Sequence, residues 1–538
     1  MVQIQNLPFK KLIILLPKSD LENRFTLRFL ITISNFKKNL KIRKCFKLSI
    51  IGIIVLSASI TTIHAQSNEF LQSRIRLFEA WLDNLMSDQA LRGVSVSLVQ
   101  NQRLVYAKGF GVSDFEKQTP ASESTNYRIA SITKLFTSIA LMQLVERQKI
   151  LLDTPVVEII PELRAIKTNG HSVKDMTIKS ILTHTTGLPI NSNFLLDKRD
   201  QNQALALDEI LKGLAQQSLL FPPNRIHKYS NLAINLGGLI VERVSSLSYE
   251  LYIQEVILTP LQLESTRFPN DSQSTRVIGY SRIVGDQRLK NEFPEMASIL
   301  GLPSSGLISN VTDLAKFISW HFRTLSAEDQ TLLARATLSE MQKVQWVPLP
   351  VELHPRFINA LALLSNSLEL GGTGLGYFRE KEFVLHGGGL MGFASELVMD
   401  NQNKLGVVVL SNTVDAPVYF THPQSISRNL YEMVGRVLAN PKSFDRPLLY
   451  AEYENFYSDD HHWHYYVTEM GENLILLNLR DEMPLVRPII LSKVGVDHFI
   501  DPNHEGIYLG EFSVYFQRDQ NGKVDSMIVK NNKLYPKD

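Results

Sequence analysis

Ser131 and Lys134 stand three residues apart in "YRIASITKLFTS", inside an otherwise apolar run. On a helix the two share one face, and the amide dipoles at a helix N-terminus favour developing negative charge. A desolvated lysine loses proton affinity and can deprotonate a neighbouring hydroxyl. The spacing alone is weak evidence, since Ser34 and Lys37 repeat it near the N-terminus. A second group is Tyr229-Ser230-Asn231. A phenol beside a lysine can have its pKa lowered and relay a proton, and the Asn amide can bond a substrate carbonyl or hold the lysine. The plain alternative is a helix start, with Ser230 or Asn231 as the N-cap. The third group is His386-Gly387-Gly388-Gly389, ending an apolar strand segment. Glycines there admit another backbone, and a strand amide can supply half of an oxyanion hole.

The elements that must position these groups are legible in outline. "FLQSRIRLFEAWLDNLM" has helical periodicity, and "GVSVSLVQNQRLVYAKGFGVSD" alternates about a turn at "QNQR", as a hairpin does. "SITKLFTSIALMQLVERQKI" is a hydrophobic helix, and the prolines of "FPPNRIHKYSN" force a loop before a second one. "EFVLHGGGLMGFASELVMD" and "KLGVVVLSN" read as two strands joined at "NQNK", followed by a helix from about Pro423 to Leu438. Strands at both ends of a helical middle predict one sheet assembled from both ends of the domain. From about Arg446, short alternating strands with "MGEN" and "DQNG" turns predict a separate all-β domain.

Six ordered segments carry a family resemblance between about Phe70 and Leu438: "YRIASITKLFTS", "ILLDTPVVEIIPEL", "TIKSILTHTTGLP", "FPPNRIHKYSNLAINLGGLIVERVS", "PSSGLISNVTDLAKFI" and "HGGGLMGFASELVMD". The chain resembles the serine β-lactamase and penicillin-binding-protein superfamily, in its class C-like branch of β-lactamases, DD-peptidases, D-aminopeptidases and esterases. The resemblance implies an α+β fold, an antiparallel sheet flanked by helices with a helical subdomain. The β-rich C-terminus resembles the small lipocalin-like barrel that often follows it. The expected domains are a leader at 1–65, a serine hydrolase domain at 66–440 and an all-β domain at 446–538. The barrel's role is not readable, covering one edge of the cleft being a working guess.

Carried over by position, Ser131 becomes the nucleophile, and Lys134 with Tyr229 the acid/base pair. Asn231 would contact the substrate amide and Lys134. The amides of Ser131 and Gly389 would form the oxyanion hole, with Gly388 beside them lining the substrate strand. His386 stands where typical β-lactamases carry the lysine of Lys-Thr-Gly, which puts efficient β-lactam hydrolysis in doubt. Asn224 stands where the family often has glycine, and asparagine tolerates the left-handed region better than most residues.

Composition narrows the rest. Residues 1–65 hold 11 Lys+Arg against 2 Asp+Glu, and the remaining chain 45 against 52. A mildly acidic body is a poor nucleic-acid binder. "KKNLKIRKCFK", the uncharged stretch from Leu48 to Ile63 and "HAQSNEF" have the parts of a secretory signal cleaved after Ala65. An uncleaved anchor at 48–63 is the alternative, and only then is a membrane partner expected. The single cysteine, Cys45, lies in the leader, so the mature chain has no disulfide and no thiolate chemistry. Neither metal nor cofactor is expected. His462 and His464, with Asp459, Asp460 and His461 nearby, are too few at that spacing for a metal site. "GGTGLGYF" fails the nucleotide-loop spacing. His184 in "THTTG" is read as part of a structural turn. The resulting expectation is an exported, periplasmic or extracellular serine hydrolase acting on D-amino-acid peptides, esters or β-lactams. The substrate would be a small molecule or peptide, with peptidoglycan fragments the leading guess. The alternative is a catalytically silent binding or sensing protein that uses the same cleft.

Overall fold

The structure is a computed structural model that describes residues 70–191, 211, 213–269, 278–284, 287–291, 301–347, 370–390, 392–414, 421–440, 449–459, 464–470, 472–481, 483–486, 488–502, 512–529 and 532–536. The leader, with its signal and anchor alternatives, and Asp460 to Trp463 of the histidine cluster lie outside these residues. Among those described, no helix is long and apolar enough to cross a membrane.

Helix α1 (residues 70–88) leads into a hairpin of β1 (Gly93–Gln100) and β2 (Arg103–Asp114). Asn101 and Gln102 turn it with φ of 45° and 74°, the left-handed pair that matches strand twist. After β3 (Thr119–Pro120), α2 (Thr133–Glu146) and α3 (Asn231–Ser245) form the centre of the helical subdomain. Two further helices follow, α4 (Val311–Leu325) and α5 (Arg335–Gln342). The chain then returns to the sheet with β4 (Leu370–Thr373), β5 (Phe378–Glu380), β6 (Phe383–Leu390), β7 (Phe393–Asp400) and β8 (Leu405–Ser411). The sheet order is β3-β2-β1-β8-β7-β6-β5-β4, antiparallel at each junction. β1 lies directly against β8, with Val96 opposite Val409, so the two ends of the domain share one sheet as expected.

One expectation needs correction. "EFVLHGGGLMGFASELVMD" is not one strand but the hairpin of β6 and β7, which pairs Leu390 with Phe393. Gly392, at φ 79°, supplies the left-handed residue that lets two residues close it. The "NQNK" turn does join β7 to β8.

The sheet separates two apolar cores. On one face, Val99, Val384, Leu397 and Val408 pack with α2, α3 and α4. On the other, Val94, Val96, Leu385 and Val409 pack with Trp81 and Leu82 of α1 and with Ile426 and Leu430 of α6 (Thr421–Leu430).

The C-terminal strands, from Asn455–Ser458 to Asn532–Pro536, close into an eight-stranded barrel. Tyr453, Tyr457, Phe499 and Phe516 fill its interior. Tyr466, Ile475 and Leu477 of the barrel belong to the same core as Trp81. Polar contacts tie the two together: Trp81 Nε1 donates to the Asp481 carbonyl at 3.1 Å and Asn84 Nδ2 to the Leu479 carbonyl at 3.1 Å. Arg74, buried, reaches the Glu469 carbonyl, and Asn429 of α6 meets Met483. The barrel is thus docked on helices covering one face of the sheet. A place at the cleft edge does not describe this docking, because His386 and Gly388 face the other way.

Candidate active site

Ser131 lies in a single 3-10 turn (Ala130–Ile132) that runs directly into α2. Ala130 before it has φ 47°, a left-handed conformation costly for a residue with a Cβ. The strain is held by the buried surroundings of Ala130 and Ile132. One turn on, Lys134 is completely buried. Its Nζ lies 3.0 Å from Ser131 Oγ and donates to the Ser304 carbonyl at 2.7 Å. Burial with no carboxylate in contact drives its pKa well below the ordinary lysine value, toward the neutral amine.

Tyr229 closes the group. Its phenol is hydrogen-bonded to Ser131, and its ring centroid is 5.0 Å from Lys134 Nζ. The expectation that the lysine would lower this phenol's pKa is not met. Burial raises it, and only the Ser131 bond pulls it back. Burial thus disfavours the charged forms of both the amine and the phenol that meet on one hydroxyl.

The loop carrying Tyr229 is fixed by the turn after "ILTHTTG". His184, at φ 56°, accepts the Ser230 N–H on Nδ1 at 3.2 Å, and its ring centroid is 4.4 Å from that of Tyr229. Its carbonyl accepts the Lys228 N–H at 2.8 Å. The structural-turn reading of His184 holds, but the turn is the backing of Tyr229. Asn224 has φ 61°, the left-handed conformation expected where the family has glycine. Its Nδ2 donates to the Asp175 carbonyl at 2.8 Å. Ser230 is the N-cap of α3, accepting from the Ala233 N–H at 3.0 Å. Asn231, the first residue of α3, donates to Asn191 Oδ1 at 2.8 Å. The expected Asn231–Lys134 bond is replaced: the lysine reaches Ser304 instead, because the short helix Leu302–Ser305 presents that carbonyl to it.

β6 forms the opposite wall. Residues flanking its two-residue turn exchange both backbone bonds, so Gly388 bonds across to Ser395 while Gly387 and Gly389 turn their N–H and C=O groups outward. β5 pairs only as far as Leu385, which leaves this edge open. The Gly389 amide is therefore turned to this open edge rather than to β7. Gly388 contributes space rather than a donor. A Cβ on it would lie 3.1 Å from Ser131 N and collide with the Ile129 carbonyl and Ser395 Oγ.

His386, 2% exposed, uses Nδ1 to donate to the Gly387 carbonyl at 2.6 Å, leaving Nε2 buried without a partner. Burial, with Lys134 nearby, lowers its pKa to about 3. It is thus a neutral imidazole where the resemblance expects a cation. Phe378 packs 5.1 Å from its ring and 6.4 Å from that of Tyr229. His227 bonds Thr373 Oγ1 at 3.0 Å and is neutral, its pKa lowered to about 4 by burial. His227, Thr373, Phe378 and Ser304 were not singled out in the sequence. Only His227, two residues before Tyr229, carried any signal.

Comparison with known proteins shows the family and the fold. The Beta-lactamase family matches residues 78–426, and the chain belongs to it. Protein flp of Staphylococcus aureus (strain MW2) is 26% identical over 354 residues, 64% of this chain and 65% of that protein. The chain thus spans slightly less than two thirds of that relative's length. Esterase EstB of Burkholderia gladioli is 29% identical over 199 residues, 35% of this chain and 50% of the esterase. Among solved structures, the octameric penicillin-binding protein homologue from Pyrococcus abyssi superimposes with a TM-score of 0.55 at 23% identity, covering 86% of this chain and 99% of its own. D-amino acid amidase from Ochrobactrum anthropi SV3 gives 0.53 at 19% identity, covering 68% and 99%. These structures share the fold.

Proposed function

We propose that this chain is an exported hydrolase that forms an acyl-enzyme on Ser131. The observation that carries the reading is the convergence of Lys134 and Tyr229 on Ser131 Oγ. Lys134, its charged form disfavoured by burial, accepts the serine proton as Oγ attacks the substrate carbonyl. The amides of Ser131 and Gly389 hold the oxyanion. Tyr229 passes a proton to the leaving group, and the reverse relay activates water for deacylation. Asn231, released from Asn191, bonds the substrate amide.

The substrates proposed are D-amino-acid peptides of peptidoglycan type, esters and, less efficiently, β-lactams. The neutral His386 favours acyl groups without a carboxylate beside the scissile bond, because no fixed cation stands at that position. A silent binding protein would have no need of the Ser131, Lys134 and Tyr229 cluster.

The test is intact-mass spectrometry after incubation with a penicillin, and in parallel with a p-nitrophenyl ester, beside a Ser131→Ala control. The expected result is a Ser131-dependent adduct or Ser131-dependent ester turnover. A persistent penicillin adduct marks a peptidase-like enzyme with slow deacylation. Ester turnover with no penicillin adduct and no penicillin consumed marks an esterase or aminopeptidase pocket. Full hydrolysis by Ser131→Ala would sink the mechanism.

A further inference from the structure

A second cavity, about 460 Å³, opens at the other end of the sheet from the Gly392 turn. Asn401 and Lys404 of the β7–β8 turn form its floor, the last turn of α4 and one side of α5 form its wall, and Arg379 of β5 closes it. Four cationic side chains line it, Arg335, Lys343, Arg379 and Lys404, and among the described residues no Asp or Glu does. Lys343 has a surface partner in Glu340 at 2.8 Å, an exposed pair of little strength. Arg379 is half-buried and donates only to the Lys381 carbonyl, at 3.5 Å. Partial burial without a carboxylate partner disfavours its charge and lowers its pKa.

The uncharged lining points to the same kind of ligand and adds a detail. Gln342 is 5% exposed, and its Oε1 accepts from Asn401 Nδ2 at 2.6 Å. This leaves Gln342 Nε2, a donor, and Asn401 Oδ1, an acceptor, both buried and without partners. Buried amide atoms in that condition cost on the order of 1–3 kcal/mol each, so a group that satisfies both is favoured. Guanidinium and ammonium groups with an amide donor suit a tetrahedral oxyanion. The adjacent orphan acceptor suits a hydroxyl on the same molecule. A bare inorganic anion fills little of the volume.

We infer that this cavity binds a polyol phosphate, a phosphate ester with a neighbouring hydroxyl, either free or as one unit of a phosphodiester polymer. Arg379 and Lys404 hold the phosphate, with Arg335 and Lys343 at the rim. Gln342 Nε2 donates to a phosphate oxygen and Asn401 Oδ1 accepts from the hydroxyl. β5 connects the two sites physically, since Phe378 stands on the active-site wall and Arg379 in this cavity.

The experiment is isothermal titration of the full chain with glycerol 3-phosphate, inorganic phosphate and a glycerol phosphate oligomer, at constant ionic strength set with sodium chloride. Saturable binding of glycerol 3-phosphate, tighter than inorganic phosphate, is expected. Tighter binding per unit by the oligomer identifies the polymer as the source, and equal binding identifies the free ester. Arg379→Gln with Lys404→Gln is expected to weaken binding at least tenfold while ester hydrolysis without ligand is unchanged. The exposed Arg335→Gln gives a smaller loss in the same direction without disturbing a buried position. Absence of saturable binding overturns the proposal. So does binding that sodium chloride abolishes at the ionic strength used, or that neither variant weakens.

Discussion

In the proposed mechanism the chemistry turns on a lysine without water around it. Lys134 is fully buried, its Nζ shared between a serine hydroxyl and a carbonyl, so its ammonium form lacks the solvation that normally holds the proton. The rate constant kcat/KM for a neutral ester should rise with pH as Lys134 deprotonates, and that limb should fall far below the ordinary lysine value of 10.5. A pH–rate profile measures it directly. Lys134→Met should remove the limb and lower kcat/KM by on the order of 10²–10⁴. A wild-type limb close to 10.5 would mean that the amine is not the base. Ser131, Lys134 and Tyr229 were legible from sequence because each sits at a fixed spacing beside a helix start. His184 was legible only as a turn, and Phe378 not at all. Their places beside Tyr229 depend on a left-handed backbone residue and on a strand remote in sequence, neither of which spacing records.

At the scale of the element, β6 and β7 carry the site on one face and an unusual carboxylate on the other. Glu396 pairs in register with Gly387, on the face turned to α6. It is 2% exposed with Oε2 unpartnered, and Arg428, the nearby cation, is already bonded to Glu380. Burial raises its pKa to about 8, Arg428 opposing and Glu380 adding to the shift. A carboxyl whose folded pKa lies above its unfolded value of 4.5 contributes stability that is complete below 4.5 and is lost as the pH rises to about 8. The Tm of the wild type should therefore decline across that window more steeply than that of Glu396→Gln. Parallel curves for the two proteins would show that Glu396 ionises without cost. The same hairpin shows where strand reading from sequence runs short. An unbroken apolar pattern from Phe383 to Asp400 resembles one long strand, and a single left-handed glycine folds it in two.

For the molecule as a whole, the barrel is part of the catalytic domain's core. Trp81 and Phe78 are fully buried beside barrel residues, and burying each such side chain is worth roughly 1.5–3 kcal/mol. Removing residues 446–538 should lower the Tm, increase binding of a hydrophobic dye and abolish turnover. A truncated protein with the Tm and turnover of the full chain would show the barrel to be a detachable module. The all-β texture of the C-terminus was readable because short alternating strands and turn residues are local signals. The docking was not, since it depends on which face of α1 remains uncovered after the sheet has formed.

The adjacency of β1 and β8 sets an order on how the chain comes together. The first strand has no neighbour on one side until Leu405 to Ser411 has been synthesised. Pairing over so long a separation is slow, since the intervening loop must close before the contacts reward it. During that interval the β1–β2 hairpin carries an apolar face and an unpaired edge, the features that invite association with other chains. That exposure therefore lasts through most of the chain's synthesis, until β8 covers the open edge of β1.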